Sequence, residues 1–380
     1  MSDVVFERAR VVDGTGAPWF RGSVVVRDGV VSAVSRESTP DVDASVTVDV
    51  DDRVLCPGFV DTHSHSDLML FDSLLEPKVR QGITTEILGQ DGFSMAPMYR
   101  DGGADEWQRQ LRALDGDVNV DWTWGSVADY LDAVDAAGVP LNVGLLVGHG
   151  TVRFNVLGMA DRDPTDAEFE EMAELVTEGL EDGALGFSTG LIYTPCTYAN
   201  RAEVQRLAAR LGPYGRPFVA HVRSEGRWLW DALDEFVDVG AEAGIPLHLS
   251  HCKVAGTQQQ GKADRALALV EAARDRGVDL TVEQYPYTAA STMLSVVLPP
   301  WVHADGPDGT IEHLTDEQSR DRIHADVERW RIDGWENFGA LTGWENLVVS
   351  NVESEANAAP GEEHRGDRRR TRRPGHGRSL

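Results

Sequence analysis

Lysine and cysteine are the two residue types that this sequence most nearly lacks, with three of each. Only Lys78, Lys253 and Lys262 appear among 380 residues, and 63 Asp and Glu face 35 Lys and Arg, which gives a formal net charge of −28. A surface with this much negative charge repels nucleic acid and anionic membranes. We therefore expect neither as a partner. Strong acidity with scarce lysine predicts a halophilic protein, because salt screens repulsion between carboxylates. An ordinary acidic protein is the alternative.

Cysteines and long apolar runs are also scarce. Cys56, Cys196 and Cys252 are too few and too scattered for a disulfide framework, which predicts a reducing, cytoplasmic location. No window approaches the roughly 18 apolar residues that a membrane helix needs. The first ten residues carry Asp3 and Glu7 and lack the basic and apolar regions of a secretory signal.

The start of the chain predicts a small β-domain. Short β-branched runs, such as 24–26 and 46–50, alternate with Gly and Asp turns, as at Asp28-Gly29. We expect this domain, half of a β-sandwich, to occupy residues 1–56.

After this domain, apolar runs alternate with longer polar, Ala-rich segments. The predicted strands lie at 58–61, 83–88, 141–147, 184–187, 217–221, 246–251 and 280–283. The predicted helices lie at 166–181, 201–211, 229–243 and 264–276. This alternation favours parallel β/α units. We predict an α/β fold: a metal-dependent (β/α)8 TIM-type barrel over residues 57–358, incomplete at the eighth strand. A doubly wound sheet is the alternative, but no Gly-rich phosphate loop opens a helix.

The end of the chain differs from the rest in composition. Residues 361–380 hold seven Arg against three acidic residues, a net charge of +4, which leaves −32 on the other 360 residues. We expect an aberrant, frameshifted tail at 359–380. An arm that binds nucleic acid is the alternative.

Histidines gather where the predicted strands end. His63 and His65 follow the first barrel strand, and in an extended backbone their imidazoles lie on the same side. His221 and His251 each end a later strand. In a parallel barrel these ends form the rim where active sites are built. Because neutral imidazoles are zinc ligands, the four histidines predict a metal site. The alternative is that each is a satisfied histidine of the rim or core.

Three further polar residues, Asp91, His149 and His248, lie in or after predicted strands, and each has its own interpretation. Asp91 follows the second barrel strand, where it completes a zinc shell, bridges two metals or simply forms an Asp-Gly turn. His149, between two glycines, lines the pocket or makes a loop hydrogen bond. His248 has the opposite strand parity to His251, which predicts that it faces the barrel wall.

The motifs, in their order, resemble those of N-acyl-D-amino-acid deacylases of the amidohydrolase superfamily. The resemblance covers residues 3–358. It is carried by Pro-Gly-Phe-Val-Asp-Thr-His-Ser-His-Ser-Asp at 57–67 and by segments at 81–85, 188–193, 221–226 and 283–289. It implies zinc-dependent hydrolysis of the amide bond of an N-acyl-D-amino acid, giving a carboxylate and a free D-amino acid. The implied cofactor is one or two zinc ions, and the implied partner is a small-molecule N-acyl amino acid.

The resemblance also implies a set of metal ligands. His63 and His65 would form the first metal position, while His221 and His251 would hold the tightly bound zinc. Asp91 falls where the best-known members carry a Cys ligand. A hard carboxylate in place of a soft thiolate weakens the preference for zinc and favours a bridged, two-metal or otherwise altered site.

The resemblance further implies the residues that bind the substrate: Lys253, Tyr285, Ser291 and Arg223. Tyr285 would also steady the oxyanion. The family places a catalytic Asp after the eighth strand and a carboxylate-binding Arg beyond it, and neither is recognisable here. Asp367 follows no apolar strand and is not assigned that role. We therefore expect a formed metal shell with low or absent turnover in this chain.

Two rival functions remain at this point. A cyclic-amide hydrolase of the dihydroorotase or hydantoinase kind shares the barrel and the His-x-His motif, but commonly carries a carboxylated Lys after the fourth strand. The corresponding run, 184–188, offers no Lys. The other rival is a non-catalytic, metal-binding or misfolded remnant, since an incomplete barrel exposes open edges. The acyl group, the side chain, the metal count and the oligomeric state stay open, and the preference for D over L rests on the resemblance alone.

Overall fold

Two β-sheets organise the chain in a computed structural model, which describes residues 3–36, 44–72, 75–330, 332 and 334–350. The first sheet belongs to the N-terminal segment, and the second is built of parallel strands with helices between them. The expected aberrant tail at 359–380 lies outside the described residues, and so does the end of the expected barrel, 351–358.

The N-terminal sheet has the order β3-β2-β1-β4, with β5 also paired to β1. Its strands are β1 (Val4–Val11), β2 (Phe20–Arg27), β3 (Val30–Ser35), β4 (Val46–Asp49) and β5 (Val54–Leu55). The first three strands pair antiparallel, as expected for strands joined by short turns, whereas β4 and β5 run parallel to β1. Ala9, Val11 and Val24 form its small buried core.

The second sheet contains seven parallel strands in sequence order. They are β6 (Phe59–Asp61), β7 (Ile83–Leu88), β8 (Asn142–Gly148), β9 (Gly186–Gly190), β10 (Phe218–His221), β11 (Leu247–Leu249) and β12 (Leu280–Val282). The curled sheet with helices is that of an incomplete TIM-type barrel, which confirms the predicted fold class and the seven predicted strands. Among the described residues, no further strand pairs with the outer edges of β6 and β12, and Phe59 is 57% exposed at one of these edges.

Helices α1 to α8 lie between successive parallel strands, and three more, α9 to α11, follow β12. They are α1 (Glu76–Val79), α2 (Gly103–Asp115), α3 (Val127–Ala137), α4 (His149–Leu157), α5 (Asp166–Glu181), α6 (Arg201–Ala208), α7 (Leu229–Ala243), α8 (Ala263–Asp275), α9 (Gly306–Thr315), α10 (Glu317–Arg329) and α11 (Phe338–Thr342). Of the helices in the described part of the chain, none is both long and apolar enough to cross a membrane.

Local sequence signals explain where these helices begin and end. Thr165 caps α5, because its hydroxyl accepts the backbone N–H of Glu168 while the Glu168 carboxylate accepts the N–H of Thr165. Gly244 ends α7 in the left-handed conformation that glycine adopts at low cost. The four helices expected from the sequence are confirmed to within three residues at each end.

The turn after β7 carries Asp91 to the rim of the parallel sheet. The hydroxyl of Ser188 on β9 donates to the carbonyl of Gly89 and accepts from the N–H of Gly92 at 3.0 Å. At the start of the turn, the N–H of Gly89 donates to Asp67 Oδ1 at 3.0 Å. These bonds fix both sides of Asp91, so its position follows from the contact of this turn with β9.

An aromatic cluster packs against the segment that follows this turn. The ring of Trp107, on α2, stacks on Phe154, on α4, at 4.8 Å between centroids and meets Phe93 edge to face at 5.8 Å. Its indole N–H donates to the carbonyl of Ser94 at 3.1 Å. Because all three rings are fully buried, the segment that follows Asp91 is anchored in the core.

Close packing around this turn leads to a prediction for two glycines. A Cβ at Gly190, on β9, would overlap the carbonyl oxygen of Asp91, whereas a Cβ at Gly212 would meet only Ala243 O, at 3.8 Å. We expect Gly190→Ala to lower the free energy of unfolding by about 1–3 kcal/mol. Gly212→Ala should raise it by up to about 1 kcal/mol, because it restricts the unfolded chain. Urea unfolding followed by circular dichroism measures both, and equal effects of the two substitutions would contradict this packing.

Candidate metal centre

Four imidazoles converge on one carboxylate at the rim. Asp91 Oδ2 lies 3.6 Å from His63 Nε2, 3.4 Å from His65 Nε2 and 3.9 Å from His221 Nδ1. Asp91 Oδ1 lies 3.6 Å from His251 Nε2. The structure thus brings together all five residues that the sequence proposed as metal ligands, although they come from the ends of four strands.

The backbone is specialised at two of these positions. Asp91 has φ 54° and ψ 24°, and His251 has φ 34°, both in the left-handed region that residues other than glycine rarely adopt. Such conformations persist where surrounding structure holds them, and they cluster at functional sites. Here they aim two side chains at a common point.

Burial and charge act against each other on the protonation of the cluster. Burial raises the pKa of Asp91, but the imidazoles, His63 first among them, hold it well below its usual value. Burial lowers the pKa of His63, yet the carboxylates of Asp91 and Glu283 outweigh it and raise that pKa to about 10. The pKa of His251 rises to about 9 in the same way, because Glu225 and Asp91 outweigh its burial. Burial lowers the pKa values of His65 and His221, so the metal-free cluster keeps an ionised Asp91 beside protonated His63 and His251 and neutral His65 and His221.

The donor set fits a transition-metal ion such as zinc. Tetrahedral ligands at about 2.0–2.1 Å from zinc lie about 3.4 Å apart, close to the 3.4–3.9 Å that separates Asp91 from the imidazole nitrogens. Both ring nitrogens of His221 and Asp91 Oδ1 are buried without a hydrogen-bond partner among the described residues. Such atoms are costly unless a ligand satisfies them. His63, Asp91 and His251 form one candidate ligand group, and His221, Glu225 and His251 a second.

Two carboxylates beside the cluster were absent from the ligands and substrate-binding residues proposed from the sequence. Glu283 Oε1 lies 2.7 Å from His63 Nδ1, and Glu225 Oε1 lies 2.9 Å from His251 Nδ1. Glu283 directly follows β12, and Glu225 comes four residues after His221, so position at a strand end was a signal that could have found them. We call Glu225 and Glu283 the outer carboxylates.

Two of the four residues proposed to bind substrate lie beside the cluster. The ammonium of Lys253 donates to Glu225 and lies 5.4 Å from the centroid of the Tyr285 ring. That ring is 6.5 Å from the ring of His251. Burial raises the pKa of the Tyr285 hydroxyl, which keeps it protonated as a hydrogen-bond donor. Both residues therefore stand where a substrate at the cluster would reach them.

The other two residues are placed differently. Arg223 forms two hydrogen bonds of 3.0 Å to the Glu235 carboxylate on α7. Ser291 is solvent-exposed in the segment after β12, where its neighbour Thr292 contacts the Tyr193 hydroxyl at 3.0 Å. Their roles in substrate binding stay predictions.

The two remaining histidines make their own contacts. His149 is fully buried, with Nδ1 2.9 Å from Thr189 Oγ1 and Nε2 2.8 Å from Glu203 Oε1, so the structure places it in an internal hydrogen-bond network. His248 Nδ1 lies 2.7 Å from Thr281 Oγ1 on the neighbouring strand. Neither ring belongs to the cluster around Asp91.

A curled parallel β/α sheet with a histidine–carboxylate cluster at its rim is the architecture of a TIM-type barrel with a candidate metal centre. A model of the amidohydrolase family matches residues 46–279. The chain therefore belongs to the amidohydrolase family.

Two relatives that share about a third of their residues with this chain are D-amino-acid deacylases. The chain is 34% identical to D-aminoacylase and 36% identical to N-acyl-D-glutamate deacylase, both from Alcaligenes xylosoxydans xylosoxydans. Each alignment covers 77% of this chain, and 59% and 58% of the two relatives. The chain thus spans less than two thirds of the length of these relatives.

Two solved structures of such deacylases are also similar to this chain. The N-acyl-D-glutamate deacylase from Bordetella bronchiseptica, complexed with zinc and a phosphonate inhibitor, is 33% identical, with a TM-score of 0.69 over 75% of this chain and 59% of that one. A D-aminoacylase described as defining a novel subset of amidohydrolases is also 33% identical, with a TM-score of 0.70 over 78% of this chain and 61% of that one.

The raised pKa values predict how zinc binding depends on pH. At pH 7 the metal-free His63 and His251 are protonated, because their pKa values are about 10 and about 9. Zinc needs a lone pair on each ring, so its binding should release about two protons, and its affinity should rise with pH up to these pKa values. Calorimetry in two buffers of different ionisation enthalpy measures the release. Asp91→Asn should reduce it, and a release of no protons by the wild type would contradict these protonation states.

Proposed function

We propose that this chain hydrolyses the amide bond of N-acyl-D-amino acids in a zinc-dependent reaction, giving a carboxylate and a free D-amino acid. The observation that carries the proposal is the convergence of four imidazoles on Asp91 at the barrel rim. The identity of 34–36% to a D-aminoacylase and an N-acyl-D-glutamate deacylase supports the choice of substrate class.

The residues around Asp91 would hold one or two zinc ions. Bound there, zinc supplies Lewis acidity and activates water at neutral pH. Asp91 Oδ2 faces His63, His65 and His221, and Asp91 Oδ1 faces His251, so both carboxylate oxygens would be available to a bound ion. A carboxylate and imidazoles without thiolate also admit other divalent ions.

The chain's own cation and hydroxyl would orient the substrate. The Lys253 ammonium carries a positive charge to the rim and is suited to the α-carboxylate of an N-acyl amino acid. The protonated Tyr285 hydroxyl would donate to the amide oxygen as negative charge develops there. Ser291 and Arg223 complete the substrate-binding residues of the proposal.

Proton delivery to the leaving amine requires a donor near the cluster. A positioned carboxyl group normally performs it. Among the described residues, the carboxylates nearest the cluster are Asp91 and the two outer carboxylates, and each already contacts an imidazole. We therefore expect slow turnover, as the sequence suggested.

A cyclic-amide hydrolase is the second candidate. Such enzymes commonly bridge two metals with a carboxylated lysine after the fourth strand. Here β9, the fourth strand of the parallel sheet, contains no lysine, and the carboxylate at the centre of the cluster comes from Asp91 after the second strand. This difference favours a linear amide as the substrate.

Amine release from N-acetyl-D-methionine, N-acetyl-D-glutamate and their L enantiomers tests the proposal. With the full chain and added zinc, we expect the D forms alone to be hydrolysed. His221→Ala should reduce that rate by roughly 100-fold or more, because it removes an interaction with the reacting centre. Thr257→Ala, at a position away from the cluster, is the control and should leave the rate unchanged.

The outcomes separate the rival functions. Hydrolysis of a cyclic ureide in preference to every N-acyl amino acid would favour the cyclic-amide alternative. No hydrolysis by a folded, zinc-loaded chain would contradict the deacylase proposal for this chain and favour a metal-binding remnant.

We further propose that the protein is cytoplasmic, on the basis of its few scattered cysteines, and that it is adapted to high salt, on the basis of 63 acidic residues and three lysines. The Debye length falls from about 10 Å at 0.1 M salt to about 3 Å at 1 M, so repulsion between closely spaced carboxylates is relieved only at molar salt. We expect the Tm to keep rising with KCl to about 3 M. A plateau reached well below 1 M would indicate an ordinary acidic protein.

A further inference from the structure

Two ligand imidazoles have a carboxylate on the side away from Asp91. His63 Nε2 lies 3.6 Å from Asp91 Oδ2, whereas its Nδ1 lies 2.7 Å from Glu283 Oε1. His251 repeats this arrangement, with Nε2 3.6 Å from Asp91 Oδ1 and Nδ1 2.9 Å from Glu225 Oε1. In each ring, one nitrogen faces the candidate metal and the other faces an outer carboxylate.

We propose that Glu225 and Glu283 are positioning residues of the metal centre. Glu283 would accept the Nδ1–H of His63, and Glu225, together with the Lys253 ammonium that it binds, would hold the Nδ1 side of the His251 ring, so that each Nε2 points at the metal. Histidine ligands commonly donate their other ring N–H to a carboxylate, which fixes the tautomer and the ring orientation and makes the ligand more basic. The inference rests on the proposed zinc site but does not depend on hydrolytic activity.

Glu283 acts on two ligands at once. Besides facing the His63 ring, its Oε1 accepts the backbone N–H of His251 at 2.8 Å. His251 is the residue with φ 34°, so this bond helps to hold an unfavourable backbone conformation. One carboxylate therefore orients the ring of one ligand and the main chain of another.

Glu225 is itself fixed by a second carboxylate. The buried Glu336 accepts the backbone N–H groups of Glu225 at 3.1 Å, Gly226 at 3.2 Å and Arg227 at 3.3 Å, together with the Ser224 hydroxyl. The loop after β10 is thereby locked. An outer carboxylate on a locked loop suits a residue that orients a ligand.

The position of Lys253 favours a positioning role for Glu225 over direct binding of the metal. His221, Glu225 and His251 also come close enough to form a metal site of their own. The Lys253 ammonium, however, donates to Glu225 Oε1 and lies 2.8 Å from His251 Nδ1. A metal cation on that side would sit against the ammonium and be repelled. The geometry therefore places the metal on the Asp91 side.

Zinc affinity of the full chain, measured by competition with a chromogenic chelator, tests the inference. Glu225→Gln and Glu283→Gln keep the shape of the side chain but remove its charge. Each should raise the zinc Kd by about 10- to 100-fold with no change in stoichiometry. Glu203→Gln is the matched control, because it removes a buried carboxylate 2.8 Å from an imidazole nitrogen of His149, outside the cluster. It should leave the zinc Kd unchanged.

Lys253→Met, added to Glu225→Gln, provides a second test. In the single variant the ammonium is left uncompensated beside His251, so removing it should recover part of the lost affinity. Circular dichroism confirms that each variant is folded, and Glu225→Ala or Glu283→Ala replaces any that is not.

The outcomes are distinguishable. Wild-type affinity in both Gln variants would overturn the inference and leave the zinc site intact. Loss of a bound ion in Glu225→Gln, with a changed visible spectrum of the cobalt-substituted chain, would show that Glu225 is a ligand and overturn its positioning role. Failure of the wild-type chain to bind zinc would overturn the proposed function instead.

Discussion

The buried negative charge of Asp91 is the constraint on which the rim depends. Only 3% of the residue is exposed, and among the described residues its carboxylate pairs with imidazoles and with no arginine or lysine. Charge in such a place must be compensated by protons or by a metal ion. With Glu225 beside His251 and Glu283 beside His63, the same carboxylate explains why the pKa values of these two histidines are raised, and it makes the cluster suited to a divalent cation.

Several features of the fold bring the residues around the Asp91 carboxylate together. Parallel strands bring their carboxyl ends to one rim, so residues far apart in sequence, such as His63 and His251, meet at ring centroids 4.9 Å apart. The left-handed turn at Asp91 needs close neighbours without side chains, and Gly92 and Gly190 supply them. Glu225 and Glu283 place negative charge on the sides of the His251 and His63 rings that face away from Asp91. The rim is thus layered, with alternating carboxylates and imidazoles.

Much of this could be predicted from the sequence, because it depends on local signals. Apolar runs predicted the seven parallel strands, and capping residues such as Thr165 mark helix ends that the structure confirms. The five candidate ligands were also found in this way, since each follows a predicted strand. Strand-end position is a local property, and in a parallel sheet it implies a shared location in space.

The rest depends on contacts between distant segments, which no local pattern reveals. Whether His149 lines the pocket was undecidable from its neighbours, because its partner Glu203 lies 54 residues away. The pairing of Glu283 with His63 spans a still longer separation and requires knowledge of which way each ring turns. For Arg223 the local motif suggested substrate binding. In the structure its guanidinium donates two hydrogen bonds to Glu235 on α7.

The central claim is a metal centre built from imidazoles and the Asp91 carboxylate without any thiolate. X-ray absorption at the zinc edge of the zinc-loaded chain tests it most directly. The account predicts only nitrogen and oxygen neighbours, at about 2.0–2.2 Å from the zinc. A sulfur neighbour at about 2.3 Å would contradict it, because Cys196 or Cys252 would then be a ligand in place of the arrangement around Asp91.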